Sequence, residues 1–500
     1  MKAHVVPMKP LSFRSHIIKD LFLKVTPVLR LATGVVYLIT ICSMASCSSS
    51  TGSGSGSGLP PGVTLREING GLNYFSSINP KSAWMDGHIL VGAWDEQPLN
   101  AREVGYDRAT GDNIYWALAG FNSTCNGSLC VASLKTIRDG GMHISAPGLD
   151  ADSGSETVAY EGADEADMNY GPGWDGWDRT DQKCIPAGGE CGYTVARWYS
   201  TGEPAKLGTP DYPIRGTVKQ QGFGKGVLFW DTTKQAAEFL KFSDILDADS
   251  YWMTDSDLNQ ATQGGCALFP KSQTICDHGS GSGLTDAQRA LPANYAYNVE
   301  KLQQLQAMNG PPKPILADIE TGCPKAGYGC TTPDAMTAAA WHALIAGARG
   351  IIWFQHNFGG PCVDYRTIID GSNPKSSDFD CQQTPGISLH DMVVALTKFD
   401  SEVNHLNSVL LSPFAEGYVS SKNDVSYMAK YADGSFYIFA ASGKPGMPPP
   451  SNQRVSFSIA DANSCSVNVI NENRRIPVTN GQFSDVFSNA DSVHIYRVNC

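Results

Sequence analysis

Apolar residues along this chain gather into short runs, bounded by turn residues and separated by longer stretches with helical periodicity. Residues 313–360 hold the clearest unit. Residues 314–319 (PILADI) are too short for a helix and read as a buried strand that stops at Glu320. Thr332 or Asp334 can cap the next helix, with Pro333 at its first position. Residues 334–348 are strong helix formers and place Met336, Ala340, Leu344 and Ala348 on one stripe. Arg349-Gly350 ends that helix, and residues 351–354 form the next strand. A strand, helix and strand of this length make a parallel βαβ unit.

The alternation recurs. Strand-like runs stand at residues 88–94, 113–118, 142–146, 157–160, 226–230, 248–253, 314–319 and 350–354. Helical patterns lie between them, at 129–139, 233–242 and 285–308, the last with Leu302, Leu305 and Met308 as its stripe. Eight such strands predict a closed (β/α)8 barrel. An open doubly wound sheet is the alternative. It lacks its phosphate-binding GxGxxG after the first strand, where GAWDEQP stands. Residues 222–226 (GFGKG) read as a turn. Two insertions, 168–224 and 254–283, interrupt the spacing and predict functional loops on the barrel rim. The first carries Trp174, Trp177 and Trp198, aromatic planes suited to stacking on sugar rings. After Leu406 the helical period disappears. Alternating runs at 418–431, 436–441, 455–459, 467–470 and 493–498 predict a small antiparallel β-sandwich. The chain therefore divides into a leader (1–47), a Ser/Gly-rich linker (48–60), a barrel (61–405) and a sandwich (406–500).

A hydrophobic share of 42% beside 17% charged residues fits a large packed core. The net charge of −12 argues against nucleic acid or an anionic membrane surface as partner, since both select basic patches. Lys2, Lys9, Arg14, Lys19, Lys24 and Arg30 precede an apolar stretch at 31–43 that is too short to span a bilayer. Met44-Ala45-Ser46-Cys47 then resembles a bacterial lipoprotein cleavage box, and 48–58 is a flexible tether. The expectation is an exported, cell-surface protein anchored by lipid at Cys47, with plain secretion as the alternative. The later cysteines fall as near neighbours: Cys125/Cys130, Cys184/Cys191, Cys266/Cys276, Cys323/Cys330, Cys362/Cys381 and Cys465/Cys500. Disulfides in an oxidising compartment are expected over a metal site, because neither CxxC nor HExxH occurs. No metal or cofactor is implied.

The fourth strand runs into Asp164-Glu165-Ala166-Asp167 and the seventh into Glu320. Carboxylates from opposite sides of a barrel can face each other across its mouth. Glycosidic hydrolysis requires one protonated carboxylic acid for the leaving oxygen and one ionised carboxylate. This order, with Trp353 after the eighth strand, resembles the clan A glycoside hydrolases. GAWDEQP, DEADM, IETG and AAAWHALIAGARGIIWFQHNFGG also resemble a poorly characterised group of bacterial secreted proteins in that clan, over residues 87–360. The resemblance implies a retaining barrel enzyme on a poly- or oligosaccharide, with Glu165 as acid/base, Glu320 as nucleophile and Trp353 as the sugar-stacking floor. It also implies a nucleophile-orienting hydroxyl from Tyr251. The clan carries Asn before its acid/base, whereas Asp164 stands here. Its charge would raise the pKa of Glu165, and it points to an unusual sugar. Trp94, Asp95, Gln355 and His356 are further rim candidates by position, with Glu96, Glu161, Trp230, Asp231 and Asp255 as lesser ones. His342, inside a helix, is expected to be packed. A non-catalytic carbohydrate-binding surface protein and a cell-wall transglycosylase are the competing readings.

Overall fold

A computed structural model describes residues 59–500 apart from 117–131, 147–152, 163, 166, 168–176, 179–182, 185–215, 231–235, 238, 260–283, 325–328, 356–360, 363–365, 448–450 and 463–464. The leader, the tether and Cys47 lie outside the described residues, as do Trp174, Trp198, Asp231 and His356. Among the described residues no helix is long and apolar enough to cross a membrane.

Eight parallel strands close into a barrel. They are β1 Leu90–Trp94, β2 Ile114–Trp116, β3 His143–Ala146, β4 Thr157–Glu161, β5 Lys219–Phe223, β6 Ile245–Ala248, β7 Ile315–Glu320 and β8 Gly350–Phe354. β8 pairs with β1 through Gly350↔Leu90 to Trp353↔Ala93, which closes the ring. Seven strands lie on or beside their expected positions. The fifth does not: residues 226–230 form a π-helical turn, and β5 lies earlier, at Lys219–Phe223. The reason is polar burial. Gln220 is inside the barrel, where its Nε2 donates to Asp247 Oδ2 at 2.8 Å, so β5 lacks an apolar signature. Val227, Leu228 and Phe229 are apolar because the turn is packed in the core outside the wall. β6 also ends at Ala248, leaving Asp249–Met253 as rim loop rather than strand.

The two faces of each strand sort by parity. Ile315, Ala317 and Ile319 join Leu302 and Leu305 in the large outer core, while Leu316, Leu90, Ile114, Ile245 and Ile352 fill the barrel's lower interior with Phe75 and Met85. The 3-10 segment Pro80–Gly87 plugs the bottom, where Trp84 stacks on His143 at 3.6 Å between ring centroids. The helix after β7 runs Pro333–Ala346. Thr332 accepts from the Ala335 amide, Pro333 stands in the first turn, and Gly347 ends it in the left-handed region at φ 106. The expected single helix at 285–308 breaks into Asp286–Arg289 and Asn294–Gln306 around Leu291-Pro292-Ala293, because proline has no N–H to continue the ladder.

Beyond the barrel stand a seven-stranded and a three-stranded antiparallel sheet. Val425, Ile438, Val455, Phe457, Val467 and Tyr496 pack between them as a sandwich core. The seven-stranded sheet also takes in the early segment Thr64–Arg66, paired with Phe414–Glu416. Arg474–Pro477 and Gln482–Phe487 are strands the alternation did not single out. Disulfides join Cys323–Cys330, Cys362–Cys381 and Cys465–Cys500, as the spacing anticipates. The three other cysteine pairs are not covered by the described side chains. Sandwich and barrel share one apolar core: Met428, Phe439, Ala441 and Ile495 belong to the cluster that holds Trp341, Leu344 and Phe399. His342 is packed there, its Nε2 3.1 Å from the Ser442 carbonyl, and the Gly446 amide donates to Asn294 Oδ1 at 2.9 Å.

Candidate active site

The carboxyl ends of β4 to β7 carry a concentration of acids. Glu161 closes β4, and Asp164 and Glu165 follow it in a turn. Asp247 lies in β6 and Asp249 just past it. Asp318 lies in β7, two residues before Glu320, and so shares the inner parity of Leu316. β5 supplies Gln220 and Gly222 on the same inner face.

Gly222 lets the carboxyls meet. A Cβ built on it would lie 3.0 Å from Asp164 Oδ1 and 3.5 Å from Asp249 Oδ2, so these two carboxyls close over its bare Cα and leave little room there for a side chain. Asp164 is open to solvent and Glu165 is half-buried, whereas Asp249 keeps 7% of its surface and Asp318 only 1%. Glu165 and Asp95 both stand in the left-handed region, at φ 39 and 47. That conformation costs of order 1 kcal/mol or more in a residue with a Cβ, and it tends to collect at functional sites.

Burial first, and crowding after it, set the protonation. Burial, then Asp249, Asp164 and Asp167, push Glu165 well above the usual carboxylate range, against a smaller opposing pull from Lys225. Burial, then Asp164, Asp95, Asp247 and Asp249, do the same to Glu161. Burial raises Asp249 to about 7, against hydrogen bonds from Tyr251 and Asp318 that favour its charged form. Asp247 is also raised by burial to about 7, and Asp318, lifted well above its ordinary value, hydrogen-bonds to it. Oδ1 of Asp247, Asp249 and Asp318 has no conventional donor among the described residues, so a proton shared from Asp318 is what relieves the group. Asp164 is raised to about 7 by burial and by Asp249, though its exposure lets solvent screen the push. Among the described residues no group of three or more His, Cys, Asp or Glu is arranged to hold a metal ion.

The sequence expectations divide here. Glu320, expected to face Glu165, is held by other groups. Glu320 is fully buried; its Oε1 accepts from the Met253 and Thr254 amides at 3.1 and 3.0 Å, and its Oε2 accepts from the Tyr295 hydroxyl. Burial raises its pKa against those donors. It fastens the loop that follows β6. Trp353 is not a sugar floor. Its parity turns it outward, where it is fully buried against Phe399 at 5.3 Å and donates to Asp400 Oδ1 at 3.2 Å. Gln355 is also committed inside the protein: Nε2 donates to the Trp94 carbonyl at 3.2 Å, and Oε1 accepts from the Thr367 amide at 2.8 Å. Asp167 caps the π-helical turn through the Gly224 and Val227 amides.

Tyr251 does orient a carboxylate, but that carboxylate is Asp249, with the Tyr251 ring against Phe354 at 4.4 Å. Trp94 lines the inner wall beside Trp116, and Asp95 acts on Glu161 by its charge. Glu96 lies elsewhere, fully buried with Asp107 and Asp112. Lys225 pairs with Asp255 at 2.5 Å. The acids missed by the sequence reading are Asp247, Asp249 and Asp318. Period-two counting back from Glu320 through Asp318 to Leu316 was the signal available for the last.

No family model and no curated protein matches this sequence. Solved structures overlap its fold broadly. One described as a glycoside hydrolase covers 82% of this chain and 92% of its own at 10% identity, TM-score 0.43. An alpha-amylase from Anoxybacillus covers 83% and 98% at 9% identity, TM-score 0.41. A family 5 glycoside hydrolase from Bacteroides vulgatus covers 82% and 89% at 10% identity, TM-score 0.41. These likenesses extend to the fold alone.

Proposed function

We propose that this protein is an exported glycoside hydrolase that cleaves the O-glycosyl bonds of a poly- or oligosaccharide with retention of configuration. The observation that carries this reading is the convergence of Asp164 and Asp249 on the bare Cα of Gly222, with Glu165 on the adjoining turn. Double displacement needs two carboxyls in opposite protonation states. Glu165 is the one held protonated. Asp249 is the one whose charged form receives hydrogen bonds, from Tyr251 and Asp318.

In the first step Asp249 attacks the anomeric carbon while Glu165 gives its proton to the departing oxygen. The C–O bond breaks and a glycosyl ester forms. In the second, ionised Glu165 takes a proton from water as that water displaces Asp249, and both groups return to their starting states. Asp249 thus takes the role the sequence suggested for Glu320. Retention is favoured by close spacing. Asp249 is the charge that bears most on Glu165, as a short separation of the two carboxyls would make it. Export and a lipid anchor at Cys47 belong to the same proposal and rest on the leader alone.

The test is turnover on aryl glycosides and on plant, fungal and bacterial wall polysaccharides, with Glu165→Gln, Asp249→Asn and Glu320→Gln as controls. The first two variants should lose turnover by at least about a thousandfold. NMR of the first-formed product should show the substrate's anomeric configuration. Full activity in Asp249→Asn, or an inverted product, would overturn the mechanism.

A further inference from the structure

Asp318 takes no part in the two displacement steps, yet it is built into the mouth. It stands on the inner face of β7 and keeps 1% of its surface. The β6–β7 register sets Leu316 beside Asp247 and Ala317 beside Ala248, so one step further Asp318 lies beside Asp249. On its other flank β8 offers Ile352, which brings no polar side chain. Its carboxyl hydrogen-bonds to Asp247 and to Asp249. Two carboxyls meet in this way only when one of them carries a proton. Asp247 and Asp249 each accept from a conventional donor as well, Gln220 Nε2 at 2.8 Å and Tyr251 respectively. Oδ1 of Asp318 has no such donor among the described residues. Burial first, and then the charges of Asp247, Asp249 and Asp164, oppose its ionisation. Asp318 is therefore the member of the trio that donates.

We propose that Asp318 is a positioning residue: it keeps its proton throughout turnover and donates it to Asp249, holding that carboxylate in place for attack. This deepens the glycosidase reading and rests on Asp249 as its nucleophile. No bond to Asp318 forms or breaks in either step. When Asp249 becomes a glycosyl ester its charge is gone, and Asp247, held by Gln220, remains as an acceptor for the same O–H. When water releases the sugar, the charge returns to Asp249 and meets that O–H again. An ionised Asp318 would instead set a like charge beside the nucleophile and favour its protonated, inert form. The corollary is that Asp318 is an acid of this mouth that an amide can replace. An asparagine has two N–H donors, enough for Asp247 and Asp249 together, and no charge to lose.

Two variants and two measurements test this. Asp318→Asn keeps a donor and cannot ionise; Asp318→Leu keeps a similar volume and loses the donor. Thermal melts by circular dichroism need no substrate. A carboxyl kept protonated in the fold ionises only on unfolding, so its contribution is present below about pH 4 and is lost as pH rises. Parent and Asp318→Asn should therefore melt alike below about pH 4, and the variant should gain on the parent steadily towards about pH 8. A variant that falls behind the parent as pH rises would mean a charged Asp318 and overturn the proposal. On the best substrate found, Asp318→Asn should keep kcat within about tenfold, with the acidic limb of kcat/KM in place. Asp318→Leu should move that limb up by about one pH unit, because the charged form of Asp249 has lost a donor. A leucine variant that loses kcat with its limb unmoved would reduce Asp318 to packing, and a loss of about a thousandfold in Asp318→Asn would make its charge essential; either result overturns the positioning role. The asparagine results decide by themselves if the leucine variant does not fold. The two readings fail separately. A parent without turnover, whose melts behave as expected, sinks the hydrolase and Asp249 as nucleophile but leaves the proton on Asp318; turnover beside the opposite melts does the reverse.

Discussion

Replacing Glu320 separates anchoring of the rim loop from catalysis. Its carboxylate accepts from the Met253 and Thr254 amides and the Tyr295 hydroxyl, all buried. Glu320→Ala would orphan each of these donors, at about 1–3 kcal/mol apiece, and leave a cavity; since neighbouring losses do not add fully, about 3–6 kcal/mol is expected. Glu320→Gln is different. Its carbonyl oxygen can keep both amides, and its NH2 can donate to the Tyr295 oxygen in a reversed bond, so the cost should be about 1 kcal/mol. In a unit of this size each kcal/mol moves Tm by only about 1 °C, so the alanine variant should melt roughly 3–6 °C lower and the glutamine variant within about 1 °C of the parent. The assays are thermal melts read by circular dichroism beside kcat on the best substrate found. Glu320→Gln should keep kcat within about tenfold, because the loop carrying Asp249 and Tyr251 stays fastened, whereas Asp249→Asn should lose at least about a thousandfold. The reasoning is refuted if Glu320→Gln folds and melts like the parent yet loses turnover as completely as Asp249→Asn does.

Other consequences can be measured with the same protein. Tyr251→Phe removes a donor to the charged form of Asp249, so the pKa of Asp249 should rise and the acidic limb of the kcat/KM profile should move to higher pH; an unmoved limb would take Tyr251 out of contact with the nucleophile. Gly222→Ala needs no change of backbone region but puts a methyl 3.0 Å from Asp164 Oδ1, and should lower kcat/KM by roughly tenfold or more with little change in Tm. Asp112 is raised to about 7 by burial, and burial also lifts its hydrogen-bonded neighbour Asp400 well above the ordinary range. A carboxyl whose folded pKa is raised binds more protons folded than unfolded, so its contribution is present below about pH 4 and is lost as pH climbs through 7. Tm should therefore fall between pH 5 and pH 8, and Asp112→Asn should flatten that slope. Reducing Cys465–Cys500, which closes a 35-residue separation, should cost about 3–4 kcal/mol by loop entropy, seen as a lower Tm in dithiothreitol.

The barrel was legible because most of its wall is two-sided and apolar. Residues 350–354 and their partner 314–319 announce themselves as buried strands, and Pro333 and Gly347 mark the helix between them. β5 was hidden by the site itself. A strand that must place Gln220 inside a ring of acids cannot also look hydrophobic, and the nearby apolar run Gly226–Trp230 takes its place to the eye. At the rim, sequence order found Asp164, Glu165 and Tyr251 but misjudged which side chains face the mouth. Trp353 is one residue out of phase, and a period of two turns such an offset into the opposite face of the wall. Glu320 is in phase but sits at the strand's last position, where Tyr295 and two loop amides capture it.

The bond from the Gly446 amide to Asn294 has a reach beyond its length. Asn294 opens the helix that bears Tyr295, Tyr295 holds Glu320, and Glu320 tethers the turn on which Asp249 rides. A protein engineer who trimmed this chain at residue 405 would strip apolar cover from Trp341 and untie the first knot in that succession. The C-terminal region is no detachable accessory: transplanting the barrel alone would blunt the very acid on which turnover is proposed to depend.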